Sequence, residues 1–164
     1  MNRLLVIGYG NPYRRDDGVA LHVINALRQR IGVRALPPDE DGLDEVGRTM
    51  DSVMLHQLLP EMTPLLAEYQ RVVFVDAHTG AIPDAVRVVS VEEEYSLEAV
   101  THHMSPGMLL ALARLTNGYA PQGYLVSVKG EDFDFGTELS EACRERVDVA
   151  VESIRNLARS AGRV

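Results

Sequence analysis

Near the amino terminus, Gly8-Tyr9-Gly10-Asn11-Pro12-Tyr13-Arg14-Arg15-Asp16-Asp17-Gly18 carries two adjacent carboxylates out of a glycine turn. A third, Asp76, ends the apolar run Val72-Val73-Phe74-Val75, and His102-His103 stand shortly before Ser105-Pro106. Carboxylates combined with an imidazole are suitable donors for a divalent cation, and paired carboxylates also serve as general acid and base. No Ser-His-Asp or Cys-His pattern competes with them. Cys143, the single cysteine, falls on the apolar stripe of a helical repeat, and Ser105 reads as a helix cap. With one cysteine, neither an internal disulfide nor a thiolate metal cluster can form.

The glycine turn invites comparison with dinucleotide-binding loops, but Tyr13 stands where the third glycine of Gly-x-Gly-x-x-Gly is required. Asp16 and Asp17 would also repel a pyrophosphate from a helix N-terminus. A simpler role for either acid is an N-cap, favoured by its side-chain acceptor and by the helix dipole. One cap accounts for one acid and leaves the other unexplained. His22, His56 and His78 read as surface or hydrogen-bonded residues, and His102-His103 as the better candidate pair.

The elements that must position these groups follow from apolar patterning. Leu4-Leu5-Val6-Ile7 is a run buried on both faces, as in a parallel sheet. Ala20, Val23, Ile24, Leu27 and Ile31 recur at helical spacing, and Gly32 suits a left-handed cap. The polar, proline-bearing stretch 33–47 reads as a loop or a short strand with an insertion. Met50, Val53 and Met54 suggest a second strand, followed by a helix near Pro60. Residues 71–80 form a second central strand, with Asp76 at its carboxyl end; 85–91 and 123–128 add two more of unreadable direction. Ser105-Pro106 opens a helix that closes at Asn117-Gly118, and Ser140 caps a last amphipathic helix through Cys143, Val147, Val151 and Ile154.

Alternating strands and helices predict a three-layer α/β/α sandwich around a small, mostly parallel sheet of about five strands, one domain over residues 1–164. In such a sheet ligands bind beyond the carboxyl ends of the strands, which makes Asp17 and Asp76 neighbours. The loop carrying His102 would be the third element at that edge. A formal charge of −8 argues against nucleic-acid and anionic-membrane partners. The chain shows no signal-peptide pattern and no membrane-length apolar run, so a cytoplasmic location is expected.

Four separated motifs, Gly-x-Gly-Asn, Asp-Asp-Gly, Val-Asp-Ala and Thr-His-His-Met-Ser-Pro, together resemble the [NiFe]-hydrogenase maturation endopeptidases over most of the chain. The branch with His-Gln-x-x-Pro-Glu, here His56 to Glu61, and Leu-Val-Ser-Val-Lys-Gly, here Leu125 to Gly130, is the most similar. The resemblance implies a peptidase that trims a C-terminal extension from the hydrogenase large-subunit precursor once nickel is inserted. Asp17, Asp76 and His102 are then the catalytic and nickel-recognising trio, the nickel is carried by the substrate, and no tightly bound cofactor is expected. The chain departs from the pattern at Ala20, in place of a frequent glycine, and at His103, which offers a second imidazole beside His102.

The partner implied is the precursor, with no nucleic acid or membrane, and a monomer is expected. Tyr9, Pro12 and Tyr13 are candidates for gripping the substrate's tail. Two other readings use the same residues: a noncatalytic chaperone that senses nickel loading, and a small-molecule hydrolase with its own metal.

Overall fold

The computed structural model describes residues 2–96 and 103–160. The apolar run after Arg3 forms β1 (Leu4–Tyr9), which lies between β2 (Met50–Leu55) and β3 (Arg71–His78), parallel to both. A central strand covered on both faces has no solvated side, so Leu4 through Ile7 are all apolar and all buried. Beyond β3 lies β5 (Gln122–Lys129), also parallel, and β4 (Val86–Val91) closes that edge antiparallel. The strand order is β2-β1-β3-β5-β4.

Alternate strand residues turn to opposite faces, and the two cores divide accordingly. Leu4, Val6, Val73, Val75, Val126 and Val128 pack with α1 (Val19–Arg30) and α4 (Glu141–Ser160). Leu5, Ile7, Val72 and Phe74 pack with α2 (Thr63–Leu66) and α3 (Pro106–Asn117). The predicted α/β/α sandwich, with five strands of which four are mutually parallel, is the observed architecture.

Local signals behave as their chemistry dictates. Ser105 Oγ accepts from the Met108 N–H at 3.2 Å, Pro106 opens α3, and Gly118 closes it at φ +70°. Ser140 Oγ likewise accepts from the Cys143 N–H at 3.3 Å. Ile31, assigned to the buried stripe of α1, is 47% exposed, because the helix ends at Arg30 and the chain turns away. The helix near Pro60 is short, a 3-10 turn (Pro60–Met62) leading into α2. Residues 33–47 contain no strand; Arg28 ties them down through the Arg34 carbonyl at 2.7 Å and Glu45 at 2.5 Å.

The carboxyl ends of β1, β2, β3 and β5 share one edge of the sheet. Antiparallel β4 runs the other way, so Val91 ends opposite Gly123, at the start of β5. The first turn of α3 is held beside the segment that follows: the Glu94 N–H donates to the Gly107 carbonyl at 3.0 Å, and Ser105 Oγ donates to Glu94 Oε2 at 3.0 Å.

Candidate active site at the carboxyl edge of the sheet

β1 and β3 are in register with Gly8 opposite Val75, which makes Tyr9 and Asp76 the next pair along. The Tyr9 hydroxyl donates to the Asp76 carboxylate, and the Ala77 N–H donates to Asp76 Oδ1 at 2.8 Å. Burial pushes the Asp76 carboxyl from the ordinary 3.8 up to about 7; the charge of Asp17 adds to the rise, while the Ala77 N–H and the Tyr9 hydroxyl oppose it. The Tyr9 phenol is itself pushed up by burial and by the neighbouring Asp76 charge. Tyr9 therefore holds Asp76 and packs against the apolar core, rather than standing free to grip a substrate.

Asp17 reaches the same place from the β1–α1 loop. Its Oδ2 accepts from the Asn11 N–H at 2.8 Å, and Asn11 Oδ1 accepts from the Tyr13 N–H at 2.9 Å. Gly10 lies so close beneath that a Cβ there would stand 2.2 Å from the Asp17 carbonyl oxygen, at φ +136°. Only glycine fits both constraints. The N-cap position of α1 is Gly18, with no side-chain cap, so the N-cap role considered for Asp16 or Asp17 belongs to neither.

Asp16 has a different task. It is fully buried, and its oxygens accept from the Ser140 Oγ at 2.6 Å and the N–H groups of Glu131, Ser140 and Asp132 at 2.7, 2.8 and 2.9 Å. Burial alone would push its carboxyl up; the hydrogen bonds from Ser140, Glu131 and Asp132 outweigh that and hold it below the ordinary value. The loop 131–140 is thereby clamped onto the site loop. Arg15, at φ +43°, adds to the clamp through its N–H to the Gly136 carbonyl (2.9 Å) and its guanidinium to Asp132 (2.6 Å) and the Glu138 carbonyl (3.0 Å). These contacts hold a non-glycine residue in a conformation that costs about 1 kcal/mol or more. Sequence reasoning missed this clamp, since no local pattern links Asp16 to a segment 115 residues on.

Of the trio expected from the sequence, Asp17 and Asp76 come together; His102 lies outside the described residues. His103 is exposed, and Met104 beside it packs against the α2–α3 core. Among the described residues, no group of three or more His, Cys, Asp or Glu side chains is placed to hold a metal ion. His78 Nε2 donates to the Asp84 carbonyl at 2.7 Å, and burial holds the half-buried His22 below its ordinary value. Cys143 is buried in the core, its thiol pushed up to about 12 chiefly by burial, which makes it a poor nucleophile. Pro12 is buried against Gly18, while Tyr13 stays 46% exposed.

The pair is chemically unequal. Asp76 exchanges a proton near neutral pH, as a general acid or base requires, and Asp17 is placed beside it. A cleft of about 310 Å³ is lined by Gly10 and Pro12 of the loop that carries Asp17, though by neither Asp17 nor Asp76 themselves.

No family model matches the chain, and no curated protein matches it in sequence. Solved structures do match. The hydrogenase maturating endopeptidase HybD from Escherichia coli superposes with a TM-score of 0.70 at 19% identity, covering 98% of this chain and 94% of that one. The [NiFe] hydrogenase maturation protease HybD from Thermococcus kodakarensis gives 0.63 at 22% identity, covering 95% and 99%. The protease HycI from Thermococcus kodakarensis KOD1 gives 0.63 at 20%, covering 96% and 93%. The likeness is one of fold, and it extends over nearly the whole chain.

Proposed function

We propose that the protein is an endopeptidase that removes the C-terminal extension of a [NiFe]-hydrogenase large-subunit precursor after nickel insertion. The observation that carries this reading is the convergence of Asp17 and Asp76 at the carboxyl edge of a fold shared with hydrogenase maturation proteases. Four sequence motifs in the order of that family support it.

In this reading Asp17, Asp76 and His102 engage the nickel held by the cysteines of the substrate. The metal arrives as cargo, so its presence reports that the precursor is ready and places the scissile bond. Asp17 supplies a carboxylate oxygen of the kind a divalent cation takes as a ligand. Asp76, titrating near 7, is suited to take a proton from the attacking water and return it to the leaving amine; polarisation of the scissile carbonyl by the nickel is the other route to the same bond cleavage. The clamp built on Asp16 holds the loop still while a polypeptide docks. A cytoplasmic monomer acting on this one partner completes the proposal.

The test is to mix the purified protein with nickel-loaded and nickel-free precursor and to measure product masses. Loss of the extension from the loaded form alone supports the proposal; unchanged mass in both tubes overturns it and favours a chaperone. Asp17→Ala, Asp76→Ala and His102→Ala should each stop processing with the fold intact. An active His102→Ala beside an inactive His103→Ala transfers the histidine role to His103. A stoichiometric metal that survives chelation and dialysis would favour a hydrolase with its own ion.

A further inference from the structure

The cleft lined by Gly10 and Pro12 lies between the end of β2 and the loop that precedes it. Leu55 gives it apolar surface, Met54 being packed into the α1 core on the opposite face of the sheet, and Asp39, Glu40 and Asp41 form one rim. Its inner end is Gly10 and Pro12, and Gly10 lies directly against Asp17. A chain lying in the cleft passes Gly10, the residue packed against Asp17.

β2 is an outer strand of the sheet. Its Met54 N–H turns outward to the Asp41 carbonyl at 2.9 Å, whereas the Leu55 carbonyl turns inward to the Gly10 N–H at 3.1 Å. In a parallel strand the C=O of a residue faces the same side as its N–H, so the Met54 carbonyl also faces outward. Among the described residues nothing donates to that carbonyl, and nothing accepts from the His56 N–H. Unpaired main-chain groups on an edge strand are a template for an extended peptide. The rim sets the charge of what enters. Glu40 pairs with Arg34, and Asp41 Oδ1 accepts from the Leu43 N–H, leaving the exposed Asp39 carboxylate turned to solvent.

We propose that this cleft seats the substrate chain beside the scissile bond as an added strand on β2, with an apolar side chain against Leu55 and a lysine or arginine at the acidic rim. The proposal rests on the peptidase reading and adds to it a binding site and a charge preference. It also assigns a place to the His56-Gln57 motif, which lines the cleft.

Two fluorescein-labelled ten-residue peptides test it by fluorescence anisotropy, one alternating valine and lysine, the other valine and glutamate. The lysine peptide should bind and the glutamate peptide should not. Asp39→Lys should weaken binding about tenfold, whereas Glu145→Lys, an equal change in net charge on α4, should leave it unchanged. Amide hydrogen exchange at His56 should slow when the lysine peptide is bound. Equal losses in the two variants, equal binding of the two peptides, no binding of either, or an unprotected His56 amide would each overturn the proposal. Peptide binding as described with an uncut nickel-loaded precursor would defeat the peptidase reading alone. Normal precursor cleavage with peptide binding indifferent to Asp39 would defeat the cleft assignment alone.

Discussion

Replacing Asp76 by asparagine should stabilise the folded protein above neutral pH while removing its proposed chemistry. The Asp76 carboxyl moves from 3.8 to about 7 on folding, first through burial and then through the charge of Asp17. Between about pH 4 and pH 7 the folded chain therefore holds a proton that the unfolded chain has released. The contribution of Asp76 to stability falls as pH rises through that window, and the loss is complete above the folded value. At roughly 1.4 kcal/mol per pH unit the displacement corresponds to about 4 kcal/mol. Asp76 keeps some contact with solvent, which screens its charge, and about 2 kcal/mol is the expected effect. Asparagine preserves the shape: its Oδ1 can keep the Ala77 N–H, and its amide can donate to the Tyr9 hydroxyl oxygen. The chain contains no tryptophan, so urea unfolding is best followed by far-UV circular dichroism. The two proteins should be equally stable near pH 4, and Asp76→Asn more stable by about 2 kcal/mol at pH 8. Asp16 and Asp51, whose carboxyls are lowered on folding, are present in both proteins and cancel in the difference. A gap that does not widen between pH 4 and pH 8, or a variant less stable than the parent at pH 8, would refute the reasoning.

Asp17→Asn removes a like charge beside Asp76, so a carboxyl-carbon NMR titration should show the Asp76 midpoint moving down toward its ordinary value. Tyr9→Phe removes a donor that favours the ionised form, and the same titration should show the midpoint moving up. Gly10→Ala should cost roughly 3 kcal/mol in urea unfolding, because its Cβ meets the Asp17 carbonyl and its φ is one that alanine adopts poorly. Asp16→Asn should cost about 3 kcal/mol at pH 7, since an amide cannot accept all four of the hydrogen bonds converging there. That loss should shrink as the pH falls below about 4, where the parent protein surrenders the same stabilisation by protonating Asp16.

Much of this molecule was legible because burial leaves a local signature. A strand covered on both faces needs an uninterrupted apolar run, and β1 and β3 have one. A helix needs its end groups satisfied, and Ser105, Gly118 and Ser140 mark those ends with side chains that do so. Parallel order places Asp17 and Asp76 at one sheet edge from the sequence alone, since a parallel sheet gathers its loops at the carboxyl ends. The direction of β4 was not legible, because Val-Arg-Val-Val-Ser-Val alternates identically whichever way it runs.

What separates Asp16 from Asp17 is likewise absent from their letters. The two are adjacent and chemically identical; one is sealed against 131–140 by four hydrogen bonds, and the other turns to Asn11 and the site. The elevated titration of Asp76 and the conversion of Tyr9 from an apparent loop aromatic to its hydrogen-bond partner arise in the same way. The sequence by itself determined which stretches form the central strands and the long helices and which residue types stand at the carboxyl edge, because periodicity and capping are short-range. Only the tertiary structure decided which carboxylate is anchored, which is shared, and how much water each retains, because those depend on segments more than a hundred residues apart meeting in one place.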